Sequence, residues 1–372
     1  MKIGLVIDDR INRPGGVQEY VLGLYDFLKD KGHQPLIFTS GRYSQQEKRK
    51  RKIISFGQTI DIPYQAQKGI PLTIGQGKKI KNVLAKEKPD ILHIQGFPGP
   101  LGLGFIQHSD TVNLMTFHVA HEEKLTDILA KPLSLLGKQL DKKLAGKIAI
   151  SLVAAKYAQK FWPGPYNIIP IGIDLERFHP KIKPISQFKD KLINILFVGR
   201  LDKRKGIDYL LKAFWRLSLH LPNTRLIIVG EGSEKKKARD YVKEEELKNV
   251  VFAGSVSPKD LPSFYATADI FCSPATHGEA FGVVLLEAMA TGLPIVAFDN
   301  LGYRALLPKH QQGFLVFNKS TTALAQALLV LATNSPLRKE LGRKNRQYVK
   351  DFSWKIIGER ILRYYQELIE KV

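Results

Sequence analysis

One feature constrains this chain above all others. Short runs rich in Val and Ile alternate with longer stretches of helical periodicity along almost all of its 372 residues. Such alternation builds βαβ units, which stack their strands into parallel sheets flanked by helices. The expected class is therefore α/β. Candidate strands occupy 2–7, 34–39, 90–94, 111–117 and 147–151, then 193–198, 225–229, 250–252, 269–272, 294–298 and 314–316. A helix over 16–31 sets Val17, Tyr20, Val21, Leu24, Phe27 and Leu28 on one face and stops at Gly32, a residue suited to the left-handed turn after a helix. Further helices are expected over 207–219, 283–290, 321–331, 336–348 and 354–370.

A chain of this length exceeds what a single core organises, so two domains are expected. The stretch 168–184, with Pro170, Gly172, Pro180 and Pro184, reads as the linker. The expected division is a first domain over 1–170 and a second over 171–353. The last helix, within 354–372, has no strand to follow it and is expected to return to the first domain.

Composition serves mainly to exclude. The single cysteine, Cys272, leaves no disulfide framework and no cysteine-rich metal site, and points to a reducing compartment. The apolar run 3–7 is too short for a signal-peptide core and meets Asp8, Asp9 and Arg10; the long uncharged stretch 91–109 is broken by Pro98, Pro100 and several glycines. A cytoplasmic chain without a membrane span is the expectation. The net charge of +22 favours polyanionic partners. Its even spread suits a generally basic surface as well as an anionic membrane, and no basic-aromatic motif points to nucleic acid. Lys48-Arg49-Lys50-Arg51-Lys52, and the leucine- and lysine-rich stretch 125–144, are the segments that would meet such a membrane, peripherally and from the cytoplasmic side.

In open parallel sheets, ligands bind beyond the carboxyl ends of the strands. Unusual residues gather there in both halves. Gly15 and Gly16 directly precede the first helix, where backbone N–H groups can approach a phosphate or simply make a tight turn. After 193–198 come Arg200, Lys203, Arg204 and Lys205, cations able to neutralise a diphosphate. The strongest signal runs from His277 to Ala290. Glu279 precedes a helix whose first amides, at Gly282, Val283 and Val284, are free for an anion. Glu287 is the sole charge between Phe281 and Phe298. A carboxylate in such apolar company needs a partner, either the hydroxyls of a ribose or a cation from a neighbouring loop. His118 follows the 111–117 strand into the same crevice, where it could hydrogen-bond a sugar hydroxyl. Gly75-x-Gly77, Gly102-x-Gly104 and Gly230-x-Gly232 each lack the third glycine of a dinucleotide fingerprint, and no P-loop occurs.

Taken together, Pro14-Gly15-Gly16-Val17, His118, Gly199-Arg200-x-Asp202-Lys203-x-Lys205-Gly206 and Glu279-Ala280-Phe281-Gly282 leading to Glu287 resemble the retaining GT-B glycosyltransferases of family 4. The resemblance extends through Ile169-Pro170-Ile171-Gly172-Ile173-Asp174 to Phe352-Ser353-Trp354. It implies two Rossmann-like domains whose parallel sheets face a deep cleft, the first for the acceptor and the second for a nucleotide-diphosphate sugar such as GDP-mannose or a UDP-hexose. It implies that Arg200 and Lys205 hold the diphosphate. Glu279, with Ala280, Phe281, Gly282 and Val283, would hold the transferred hexose, Glu287 the ribose, and His118 the sugar near its reacting carbon. Gly15 and Gly16 would close on the phosphates. No metal or other cofactor is expected, since cations of the chain stand where one would act. Partners are then the sugar donor and a lipid or glycan acceptor, with no nucleic acid.

The chain start and the Glu279 block look most like the branch that mannosylates phosphatidylinositol. Two departures bear on the acceptor: Asp9 stands where that branch has a tyrosine, and His118-Val119-Ala120-His121-Glu122-Glu123-Lys124 replaces its hydroxyl-rich stretch. Gln95 stands where many members carry a second histidine. Two other classes fit the same residues, a nucleotide-sugar epimerase or hydrolase of the same fold and a non-catalytic nucleotide-sugar binder.

Overall fold

In the computed structural model the alternating runs become two parallel sheets, one in each of two units. The structure describes residues 1–13, 15–57, 60–64, 67–72, 76–96, 99–119 and 139–371. The first unit comprises Met1–Gly172 with Trp354–Val372, and the second Ile173–Ser353.

The first unit contains β1 (Lys2–Ile7), β2 (Gln34–Ser40), β3 (Ile53–Phe56), a hairpin of β4 (Ile60–Tyr64) and β5 (Gln67–Leu72), then β6 (Ile91–Gln95), β7 (Val112–Phe117), β8 (Gly146–Ala149) and β9 (Asn167–Ile168). The order across the sheet is β3-β2-β1-β6-β7-β8-β9, every pairing parallel, while β4 and β5 pair antiparallel with each other. Ile3, Leu5, Val6, Ile91, Leu92 and Ile94 are fully buried, as strands covered on both faces require. Chain order runs outward from β1 to β3 and then returns to β6 on the other side of β1. The strand order therefore reverses between β1 and β6, the position where open parallel sheets bind ligands.

The Gly16–Asp30 helix buries the face read from its sequence, Tyr20, Val21, Leu24, Phe27 and Leu28. His33 N bonds to Leu28 O at 3.0 Å and Gly32 N to Lys29 O at 3.0 Å, with Gly32 at φ 78°, a Schellman stop. Against this helix lies the last one, Trp354–Ile369. Two glycines allow the approach: a Cβ on Gly23 would stand 2.2 Å from the Trp354 indole, and one on Gly358 2.5 Å from the Phe27 ring. A Lys31–Glu359 ion pair joins the helices at the surface.

The second unit holds β10 (Ile193–Val198), β11 (Thr224–Val229), β12 (Val250–Gly254), β13 (Ile270–Ser273), β14 (Ile295–Phe298) and β15 (Leu315–Val316). Their order is β12-β11-β10-β13-β14-β15, all parallel, so the strand order reverses between β10 and β13. The Ile207–His220 and Thr321–Thr333 helices share one core through Leu210, Phe214, Leu217, Leu324, Leu328 and Leu331. Val283–Ala290 is buried from Leu285 onward, and the apolar character that its sequence shows on every side follows from that burial. At the unit's ends, Ile173 N bonds to Phe352 O at 2.8 Å.

Candidate functional site

In the second unit the reversal of strand order brings the loop after β10 onto the loop after β13. Asp202 accepts a hydrogen bond from Lys205 N at 3.1 Å and so caps the short 3-10 turn Lys203–Lys205. Gly206 follows at φ 70°, and any Cβ there would lie 2.1 Å from Pro274 O. Only glycine lets the two loops meet this closely. Thr276 N then bonds to Arg204 O at 2.8 Å. The consequence is a three-residue cluster: Arg204 Nη1 stands 2.6 Å and Lys205 Nζ 2.8 Å from Glu279 Oε1. Arg204 also reaches Gly278 O at 3.2 Å. Burial raises the Glu279 carboxyl, but Lys205 and Arg204 together outweigh it and hold the group below the usual carboxylate range. Two cations against one carboxylate leave a net positive charge, fixed where an anion can approach. Arg200 pairs with Asp202 at 3.2 Å instead. The cation that joins Lys205 at Glu279 is therefore Arg204, which sequence reasoning placed in the basic cluster without singling it out.

Ala280 and Phe281 are buried, with the Phe281 ring 6.1 Å from that of Phe352. Gly282 starts the Val283–Ala290 helix at φ 108°, and a Cβ there would meet the Tyr303 ring at 2.8 Å. Leu285 N and Leu286 N bond back to Gly282 O, so the amides of Val283 and Val284 precede the intrahelical ladder. Glu287, 7% exposed, receives the Tyr265 hydroxyl at 2.6 Å. Burial and then the Glu287 charge push that hydroxyl well above the usual tyrosine range. A tyrosine is neither of the partners that the sequence suggested for Glu287. No spacing signal could have found it, because Tyr265 comes from the separate Leu261–Thr267 helix.

In the first unit, Gly15 caps the Gly16–Asp30 helix in extended conformation with the Gln18 side chain packed against it. Gln18 donates to Asp9 Oδ2 at 3.1 Å and Arg13 to Asp9 Oδ1 at 3.2 Å, so Asp9 organises the loop after β1. Its neighbour Asp8 joins that loop to the one after β6, accepting from Leu101 N at 2.8 Å and Gly99 N at 2.9 Å. Desolvation lifts the Asp8 carboxyl to about 6, against the lowering pull of those N–H donors. His118 leaves β7 almost enclosed. Its Nε2 lies 3.0 Å from Gln95 Oε1, its ring meets Tyr20 edge-on at 4.7 Å, and burial brings the imidazole down to about 3. Below it, His93 bonds Tyr365 through Nδ1 at 2.6 Å and Thr116 through Nε2 at 2.5 Å. His93, Asp8 and the Tyr365 contact escaped sequence reasoning, since only the sheet order brings them together.

Among the described residues no group of His, Cys, Asp and Glu could hold a metal ion, and no helix is long and apolar enough to cross a membrane. Residues 120–138, which include all but the first two positions of the 118–124 departure and most of the 125–144 stretch, lie outside the described residues.

Known proteins resemble this chain in sequence and architecture. A family model described as Glycosyltransferase Family 4 matches residues 14–177, and one described as Glycosyl transferases group 1 matches 178–348. A phosphatidyl-myo-inositol mannosyltransferase of Mycolicibacterium smegmatis is 30% identical over 373 residues, covering 98% of this chain and 94% of the relative. An alpha-monoglucosyldiacylglycerol synthase of Acholeplasma laidlawii is 25% identical and covers 100% and 98%. Among solved structures, a glycosyltransferase from Rickettsia africae ESF-5 superposes with a TM-score of 0.78 at 20% identity, covering 100% of this chain and 99% of its own. Anabaena Alr3699/HepE in complex with UDP gives 0.78 at 18% identity, covering 99% and 100%.

Proposed function

The chain belongs to the family 4 glycosyltransferases of GT-B fold, and from that premise we propose that it transfers a hexose of mannose or glucose type from a nucleotide-diphosphate sugar, with retained anomeric configuration, to a lipid-linked or glycan acceptor. The observation that carries the reading is the Arg204–Lys205–Glu279 cluster at the end of β10, where the strand order reverses. Lys205 and Arg204 meet the diphosphate, with Arg200 recruited from its exposed pair. Glu279 and the amides from Gly282 to Val284 hold the hexose, and Glu287, braced by Tyr265, takes the ribose hydroxyls. Gly15 and Gly16 offer phosphate the start of their helix, and His118 accepts a sugar hydroxyl.

The chemistry is then electrostatic. The bond from the anomeric carbon to the diphosphate oxygen breaks, the acceptor oxygen bonds to the same face, and its proton passes to the departing phosphate oxygen. Lys205 and Arg204 stabilise the negative charge that grows on that leaving group, which is where such groups are most effective. Glu279, shared between two cations and held ionised at low proton affinity, is a poor nucleophile, which favours this route over a covalent glycosyl-enzyme. A lipid acceptor is supported by the names of the mannosyltransferase and glucosyldiacylglycerol synthase relatives and by the +22 charge, which suits an anionic membrane surface.

Thermal-shift titration with GDP, UDP and ADP and their sugar conjugates, on the wild type and on Lys205→Ala and Glu287→Ala, tests the donor site. One nucleotide should raise the melting temperature of the wild type and lose most of that effect in both variants. No response to any of them removes the transferase reading. Proton NMR of the first product formed should then show the donor's anomeric configuration, and an inverted centre overturns retention.

A further inference from the structure

β6 and β7 lie side by side, and their ends bring Gln95 against His118. Gln95 Nε2 faces the His93 carbonyl at 3.4 Å. A carbonyl only accepts, so the amide nitrogen donates there, and Oε1 is the atom turned to His118 Nε2 at 3.0 Å. An amide oxygen also only accepts. The proton of the neutral imidazole therefore sits on Nε2, and Nδ1 carries a lone pair. That Nδ1 is buried, and no group among the described residues donates to it. Leaving a buried acceptor without a donor is unfavourable, and a site that tolerates it is prepared for a donor from elsewhere. The titratable neighbours do not supply one: the Tyr20 hydroxyl makes no hydrogen bond to it, and His93 directs its two nitrogens to Tyr365 and Thr116.

We propose that Gln95 is a positioning residue, which holds His118 as the Nε2–H tautomer so that Nδ1 accepts a hydrogen bond from a sugar hydroxyl carried in by substrate. The proposal rests on the reading of His118 as a sugar-contacting group. Burial supports it, because an imidazole brought down to about 3 stays neutral at working pH and keeps the lone pair unprotonated. Glutamate at position 95 would keep the acceptor but favour the imidazolium, whose Nδ1–H donates. Leucine there would remove the acceptor and release the tautomer.

Long-range proton–nitrogen NMR of the full-length, nitrogen-labelled chain reads the tautomer directly, with His118 assigned by its loss in His118→Gln. The wild type should show Nε2–H alone, Gln95→Glu should restore Nε2–H with Nδ1 protonating at higher pH, and Gln95→Leu should show both tautomers in exchange. Gln95→Leu should also lower kcat/KM about tenfold to a hundredfold, the loss of one buried hydrogen bond, and Gln95→Glu should add an acidic limb to the pH profile. An Nδ1–H wild type, or a tautomer unchanged in Gln95→Leu, overturns the lock. Adding GDP-mannose or UDP-glucose separates the two readings. Turnover without movement of the Nδ1 resonance overturns the sugar contact, whereas an intact lock with no turnover and no nucleotide-induced melting shift overturns the transferase reading alone.

Discussion

Glu279 holds two cations that would otherwise face each other with little water between them. Replacing it by alanine should cost about 1–3 kcal/mol, because Arg204 and Lys205 lose a partly buried partner. Millimolar pyrophosphate should then recover much of that loss in Glu279→Ala and less in the wild type, as read by thermal melts. A variant that melts like the wild type without pyrophosphate would show that the cluster is not under electrostatic strain. Asp8 gives a pH dependence of definite sign. Its carboxyl stands at about 6 in the fold against 3.8 ordinarily, so the fold favours the protonated form. The stabilisation is complete at low pH and is lost as pH rises through about 6. By linkage, the wild type should lose up to about 3 kcal/mol between pH 4 and 7 relative to Asp8→Asn, less where water reaches the carboxylate. Unfolding free energies of both chains across that range would check it, and a difference that grows with pH in favour of the wild type would refute the assignment.

The last helix ties the end of the chain into the first unit through more than surface contact. Trp354 lies on Gly23 and Gly172, Tyr365 donates to or accepts from His93, and His93 in turn bonds Thr116 beside the His118 strand. Tyr365→Phe keeps the ring and removes one hydroxyl, leaving a buried imidazole nitrogen without its partner. Urea unfolding of the full chain should show a loss of about 1–3 kcal/mol. An unchanged midpoint would mean that His93 finds another partner. That this helix returns was legible from its having no strand to follow. Its contact with His93 was not, because the two residues are 272 positions apart in sequence. The run Lys48–Lys52 belongs to this scale as well. Proposed as a membrane-facing cluster, it closes a short helix without a buried residue, with Arg51 paired to Asp26 at 2.5 Å and Lys52 to Glu87 at 2.8 Å.

For the whole molecule, the +22 charge predicts a salt-sensitive attraction to anionic surfaces. In flotation assays the chain should rise with vesicles containing anionic lipid, stay behind with neutral ones, and release as salt is raised. Equal recovery with both vesicle types would remove the membrane proposal. The sequence alone determined the α/β class and most strands to within a residue or two. It also determined the placing of Arg200–Lys205 after a strand, Glu279 before a helix and Glu287 within that helix, since periodicity and glycine spacing are local properties of the chain. The short strand β3, the β4–β5 hairpin and the Gly77–Glu87 helix were not legible, their patterns being brief or crowded with lysine. Tertiary structure alone decided the partners: Arg204 beside Lys205 at Glu279, Tyr265 at Glu287, Gln95 at His118, and Asp8 across to Gly99. Each of these joins loops or helices far apart in sequence, and the order of strands in a sheet, which no local pattern encodes, is what makes them neighbours.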